Sequence, residues 1–268
     1  YTVNPLPHSL LNYVLNFGAL AEEDEKKYIE RIIEDTLNER NRSNKTLQQE
    51  ILNKTKKAIF VSQKYIKESH DVSAVRLRDI RRFVVLFKWF YNYLSLKQQN
   101  KIVFVSTTIG KFAYETLNEK LITFISIMLT LYLCYYVRLP LKQNRKYLDE
   151  VYNNIFDGIS FSKSVLREQL SLIENFDIPQ GIAKNKALLE NIFTLFVCVN
   201  TKIPVFICGK PGCSKSLSVN LLCSAMKGQH SKSDFLKNYP RLVINSYQGS
   251  ATSTSKGVIK LFDKAKKV

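Results

Sequence analysis

The chain has 268 residues, 45% of them hydrophobic and 12% aromatic, too much apolar material for a disordered tail and enough for a packed core. The net charge of +17 comes from lysines and arginines spread along helical patterns, without the aromatic–basic alternation of a single-strand binder, which argues against nucleic acid as a partner. The five cysteines, Cys134, Cys198, Cys208, Cys213 and Cys223, form no C-x-x-C pair and lie near no histidine at metal-ligand spacing. That excludes a zinc-finger or disulfide scaffold and fits a reducing compartment.

Residues 1–155 read as helix after helix. Pro5 and Pro7 lead into Ser9, a suitable N-cap, followed by Leu10, Leu11, Val14, Leu15 and Phe17, with Gly18 to close the helix. The acidic run 22–25 suits a helix N-terminus, and Tyr28, Ile29, Ile32, Ile33 and Leu37 recur at helical spacing behind it. A polar connection covers 40–45, and a third helix covers 47–65.

The most patterned helix runs from Leu77 to Leu94, with Ser73 as its cap and a face made by Leu77, Ile80, Val84, Phe87, Phe90 and Tyr91. Arg76, Arg78, Arg81 and Arg82 crowd its start, where the helix dipole disfavours cations. The residues alone leave open whether that cluster serves an anion or is a solvated basic face. Residues 121–137 read LITFISIMLTLYLCYYV, 17 in a row without a charge. As a helix they reach about 26 Å, short of the ~30 Å hydrocarbon core. Lys120 and Arg138 close the run, and Thr123, Ser126 and Thr130 dilute it. We therefore expect a buried core helix and no transmembrane span.

The character changes after Phe156. Pro179 and Gly181 precede an amphipathic helix with Leu188, Leu189, Ile192, Phe193 and Phe196. Apolar runs at 203–208 and 241–246 read as strands. Helix, strand, loop, helix, strand opens a parallel α/β sheet. The expected fold is thus an α-helical N-terminal region, 1–155, followed by the start of an α/β P-loop domain with a parallel sheet, 156–268.

The loop between the first strand and its helix is Gly209-Lys210-Pro211-Gly212-Cys213-Ser214-Lys215-Ser216. Gly209 and Gly212 permit a tight turn whose N–H groups point at phosphate oxygens, and the following helix adds its positive end. Lys215 can reach the β- and γ-phosphates of ATP, and the Ser216 hydroxyl can ligate Mg²⁺. Ser214 stands where the usual pattern has a last glycine, so its Cβ is expected to hold the backbone at negative φ. No apolar strand ending in Asp-Glu follows Ser216, so the acidic residues that would hold Mg²⁺ and orient water are missing from the run. The first residue is not Met, no signal peptide opens the chain, and the pattern breaks off at Val268; we read it as part of something longer.

Three segments, GIAKNKALLENIF (181–193), FICGKPGCSKSLSV (206–219) and SYQGSATSTSKG (246–257), resemble the mysterin family, the giant RING-finger AAA+ ubiquitin ligases. VNPLPHSLLNYVLNFGAL (3–20) and VRLRDIRRFVVLFKWF (75–90) are also similar to its tandem AAA+ core. The resemblance implies that 1–155 is the helical lid of a preceding AAA+ module and that 156–268 begins the next, stopping before its Walker B strand. It implies a γ-phosphate-sensing role toward the preceding module for Arg78, with Arg81 as neighbouring candidate. It also implies an adenine-pocket wall around Gly181 and Ile182, other AAA+ modules and the ubiquitin machinery as partners, and a cytoplasmic location. Two alternatives stand beside it: another ring-type AAA+ motor, dynein-like or midasin-like, and a basic helical interaction module with an incidental Gly-rich loop.

Overall fold

The computed structural model describes residues 7–11, 13–14, 21–38, 45–69, 74–101, 103–106, 110–113, 117–250 and 252–266. In chain order the elements are α1 (His8–Leu11), α2 (Glu22–Asn38), α3 (Lys45–Ser69), α4 (Leu77–Gln99), β1 (Val103–Ser106), β2 (Gly110–Ala113) and α5 (Glu119–Cys134). There follow α6 (Lys142–Ile155), α7 (Phe161–Ile173), α8 (Lys186–Thr201), α9 (Lys215–Ala225), α10 (Asp234–Lys237) and α11 (Ser255–Ala265). The expected helix around 10–17, the connection at 40–45 and the Ser73 cap fall wholly or partly outside the described residues.

α4 is the centre of the body, packing on α2, α5 and α8. Its start is held by Asp79, whose Oδ2 accepts the Arg76 N–H at 3.0 Å. The face expected from spacing is too narrow. Phe83, Leu86, Tyr93 and Leu94 are buried along with Ile80, Phe87 and Phe90, because neighbours cover the helix on more than one side. Tyr93, Trp89, Phe193, Phe196, Phe235 and Tyr239 extend this contact as an aromatic layer reaching to α10.

α5 is buried without a break from Ile122 to Tyr132. By length and composition the stretch Glu119–Arg138 is apolar enough to cross a bilayer, and 78% of its most apolar window is buried among the other helices. Its hydroxyls are satisfied inside the helix: Thr123 donates to the Glu119 carbonyl at 2.8 Å, Ser126 to Ile122 at 2.7 Å and Thr130 to Ser126 at 2.7 Å. A buried charge pair ties α4 to α7, with Lys97 Nζ 3.0 Å from Glu168 Oε2 and 2.9 Å from Ser171 Oγ. Burial pushes the Lys97 pKa down, and Glu168 opposes that shift.

The parallel sheet is not formed. Among the described residues the one sheet is the antiparallel hairpin β1–β2, with Val103 opposite Ala113 and Ser106 opposite Gly110. The runs at 203–208 and 241–246 lie in no helix and belong to no ladder. Period-2 burial is present at 203–208, where Ile203, Val205 and Ile207 are half-buried and Pro204, Phe206 and Cys208 are exposed. That pattern specifies an extended backbone facing a core, whereas a strand also needs hydrogen-bonded neighbours. The second run is fixed instead by Leu242 N–H donating to the Met226 carbonyl at 3.0 Å.

Candidate phosphate-binding loop

The loop is framed by two helices. Asn185 caps α8 by accepting the Leu188 N–H at 2.9 Å. At the other end Lys202 takes a left-handed conformation, φ 57°, and Ile203 N–H returns to the Cys198 carbonyl at 2.9 Å. The chain then runs past α8 to Cys208, with Ile203, Val205 and Ile207 half-buried, and turns. α9 begins at Lys215 and packs on α8, burying Ser218, Leu221 and Leu222.

Within the turn Gly212 has φ 85° and Ser214 φ 55°. The expectation of negative φ at Ser214 is therefore wrong. The serine adopts the left-handed conformation a glycine would take there, and its side chain makes no capping hydrogen bond. What pins this geometry is visible on both sides. The Ser214 carbonyl accepts Ser218 N–H at 2.9 Å and Ser218 Oγ at 2.6 Å. The Cys213 carbonyl accepts Asn191 Nδ2 from α8 at 2.9 Å.

Lys215 folds back across the loop, and its ammonium donates to the Gly209 and Lys210 carbonyls, both at 2.7 Å. Cys213 N–H reaches the Lys210 carbonyl at 3.4 Å. The N–H groups of Gly212, Ser214, Lys215 and Ser216 donate to no backbone carbonyl among the described residues, as befits the first turn of a helix. Ser216 is exposed, so its hydroxyl is open to solvent. The structure thus gathers Gly209, Lys210, Pro211, Gly212, Cys213, Ser214, Lys215 and Ser216 into one turn, with free amides at Gly212, Ser214, Lys215 and Ser216 and a cation across it. Such a cradle suits a phosphate group. Among the described residues no group of three His, Cys, Asp or Glu stands ready for a metal, which leaves the Ser216 hydroxyl as the loop's own candidate ligand for Mg²⁺.

Gly181, with φ 87°, and half-buried Ile182 lie just before α8, where Ile182 N–H closes a turn on the Pro179 carbonyl at 3.3 Å. Arg78 and Arg81 are exposed on α4. Arg81 borders a hollow with Asp35 and Thr36 of α2. The structure does not bring either to the loop. The neighbouring cations are used structurally: Arg82 and Arg138 each place Nη1 3.2 Å from Asp79 Oδ1. Cys208 is exposed, contrary to its apolar setting in the sequence, while Cys134 and Cys198 are buried. Burial pushes the Cys198 thiol up to about 11.

Sequence reasoning missed Asn191, Glu190 and Arg145. Arg145 on α6 donates to both Glu190 oxygens, at 2.9 and 3.1 Å, and to the carbonyls of Leu139 and Val137. These groups line a cavity of about 450 Å³ between the helical body and the run 203–208. Contacts this distant in sequence leave no periodic signal.

The chain is thus mostly helical and presents a lysine-latched glycine loop at a helix start. A family profile described as "RNF213 AAA domain" matches residues 181–268. The chain is 33% identical over 267 residues to the E3 ubiquitin-protein ligase rnf213-beta of Danio rerio, 31% over 266 residues to the E3 ubiquitin-protein ligase RNF213 of Homo sapiens and 29% over 271 residues to that of Mus musculus. Each alignment takes in 98% of this chain and 5% of the relative. The chain belongs to the mysterin (RNF213) family and corresponds to a stretch of its AAA region.

Proposed function

We propose that the loop 209–216 binds the phosphates of Mg·ATP, as part of a large AAA+ E3 ubiquitin ligase. The observation that carries this reading is the Lys215 ammonium held on the Gly209 and Lys210 carbonyls beside the free amides of the α9 N-terminus. Phosphate oxygens are stronger acceptors than those carbonyls, so Lys215 can transfer to the β- and γ-phosphates without moving its backbone. The amides then cradle the oxygens, and Ser216 contributes its hydroxyl to the metal. Gly181 and Ile182 face the base.

Arg78, exposed and without an ion pair among the described residues, is free to meet the γ-phosphate of a nucleotide held elsewhere in the polypeptide. Ubiquitin transfer, carried by the relatives' names, belongs in this reading to regions beyond these residues, and the location is cytoplasmic. Titrating Mg·ATP calorimetrically into the full polypeptide and its Lys215→Ala variant tests the proposal. The variant is expected to lose a contact worth about 1.5–3 kcal/mol, roughly 10- to 150-fold in affinity at this site. Equal affinity in both proteins would overturn it.

A further inference from the structure

The phosphate loop holds a strained residue, and one side chain outside the loop opposes its relaxation. Ser214 sits at φ 55°, a conformation unfavourable for any residue with a Cβ. The peptide unit joining Cys213 to Ser214 is planar, so the Cys213 carbonyl and the Ser214 N–H point in opposite directions and move together. Asn191 Nδ2 grips that carbonyl at 2.9 Å. Releasing it would let Ser214 fall to negative φ and swing its N–H away from the cradle.

Asn191 is itself held from behind. Both carboxylate oxygens of its neighbour Glu190 accept from Arg145 Nη1, and both side chains of that pair are largely buried. Arg145 also donates to Val137 and Leu139, the residues flanking Arg138, which binds Asp79 at the start of α4. Polar contacts and the backbone between them therefore connect the arginine-bearing end of α4 to the loop.

We infer that Asn191 is the positioning residue of the phosphate loop: it keeps the Ser214 amide aimed at the phosphate, from a helix that Arg145 clamps through Glu190. This rests on the ATP reading above. Asn191→Leu keeps the size and removes the donor; Asn191→Asp keeps the shape and puts an acceptor against the carbonyl. In the full polypeptide, both are expected to speed hydrogen exchange of the Cys213 and Ser218 amides, the two bonded to loop carbonyls, without nucleotide, and to weaken ATP binding roughly three- to tenfold. The melting temperature should stay near that of the wild type. In the Ser214→Gly background, where no strain needs opposing, Asn191→Leu should cost less affinity than in the wild type.

Wild-type loop exchange and ATP affinity in both variants would overturn the inference, as would an equal loss in the two backgrounds. A wild type that binds no ATP overturns the ATP reading and the inference with it. ATP binding that survives unchanged in Asn191→Leu overturns the inference alone.

Discussion

Replacing Ser214 by glycine should stabilise the protein. An L-residue in the left-handed region costs about 1–2 kcal/mol, and Ser214 occupies that region at φ 55°. Glycine relieves the cost but gives the unfolded chain more freedom, an opposing term of about 0.4–1 kcal/mol. Nothing else is lost, since the serine side chain makes no capping bond. The net gain is about 0.5–1 kcal/mol, which for a chain of this size raises the melting temperature by roughly 1–4 °C. Calorimetric or urea unfolding of the wild type and three variants would measure it. Ser214→Gly should be above the wild type and Ser214→Ala within about 0.5 kcal/mol of it. Ser214→Val should fall below, because a β-branched residue tolerates positive φ worst. A destabilised Ser214→Gly, or a Ser214→Ala that costs more than about 1 kcal/mol, would refute the strain argument and give the hydroxyl a structural task.

Lys97→Met removes the closer of the two cations on buried Glu168, leaving Arg167 Nε at 3.4 Å, and should cost about 3 kcal/mol in urea unfolding. Because burial lowers the Lys97 pKa, the unfolded chain binds a proton that the folded chain gives up. Stability should therefore climb as pH rises toward the ordinary lysine value of 10.5, and Lys97→Met should lose that slope. Arg78→Ala should leave unfolding within about 0.5 kcal/mol of the wild type while lowering ATP turnover in the full polypeptide. Arg138→Ala should cost about 1.5–3 kcal/mol, since it breaks bonds to Asp79, Cys134 and Ala74. A brief pulse of iodoacetamide, read by peptide mass spectrometry, should label Cys208 and Cys213 well before Cys134 and Cys198, and Mg·ATP should slow labelling of Cys213.

The helices were largely legible because each buries a stripe at local spacing. α2 buries Ile29, Ile33 and Leu37, and α8 buries Leu188, Leu189, Ile192, Phe193 and Phe196, residues that periodicity selects. The width of the α4 stripe was not legible, because it depends on how many neighbours arrive. The hairpin at 103–113 was missed: two strands of four residues give little pattern to detect. The sheet was over-read for the opposite reason, since alternation at 203–208 reports burial and says nothing about hydrogen-bonding partners. In the loop, Gly209, Lys215 and Ser216 announced themselves by type and spacing. The φ of Ser214 did not, because it is held by bonds from Ser218 to its own carbonyl and from Asn191 to the Cys213 carbonyl, the second of them spanning 22 residues.

The central claim is that phosphates lie against Lys215. An acyl-phosphate derivative of ATP transfers its acyl group to a lysine amine held beside the phosphates, so it reports that proximity directly. After treatment of the full polypeptide, peptide mass spectrometry should find the acyl group on Lys215, with at most secondary labelling of Lys210. Excess Mg·ATP should suppress it, and Asn191→Leu should weaken it. Labelling spread evenly over exposed lysines, or a Lys215 signal that ATP fails to suppress, would contradict the account.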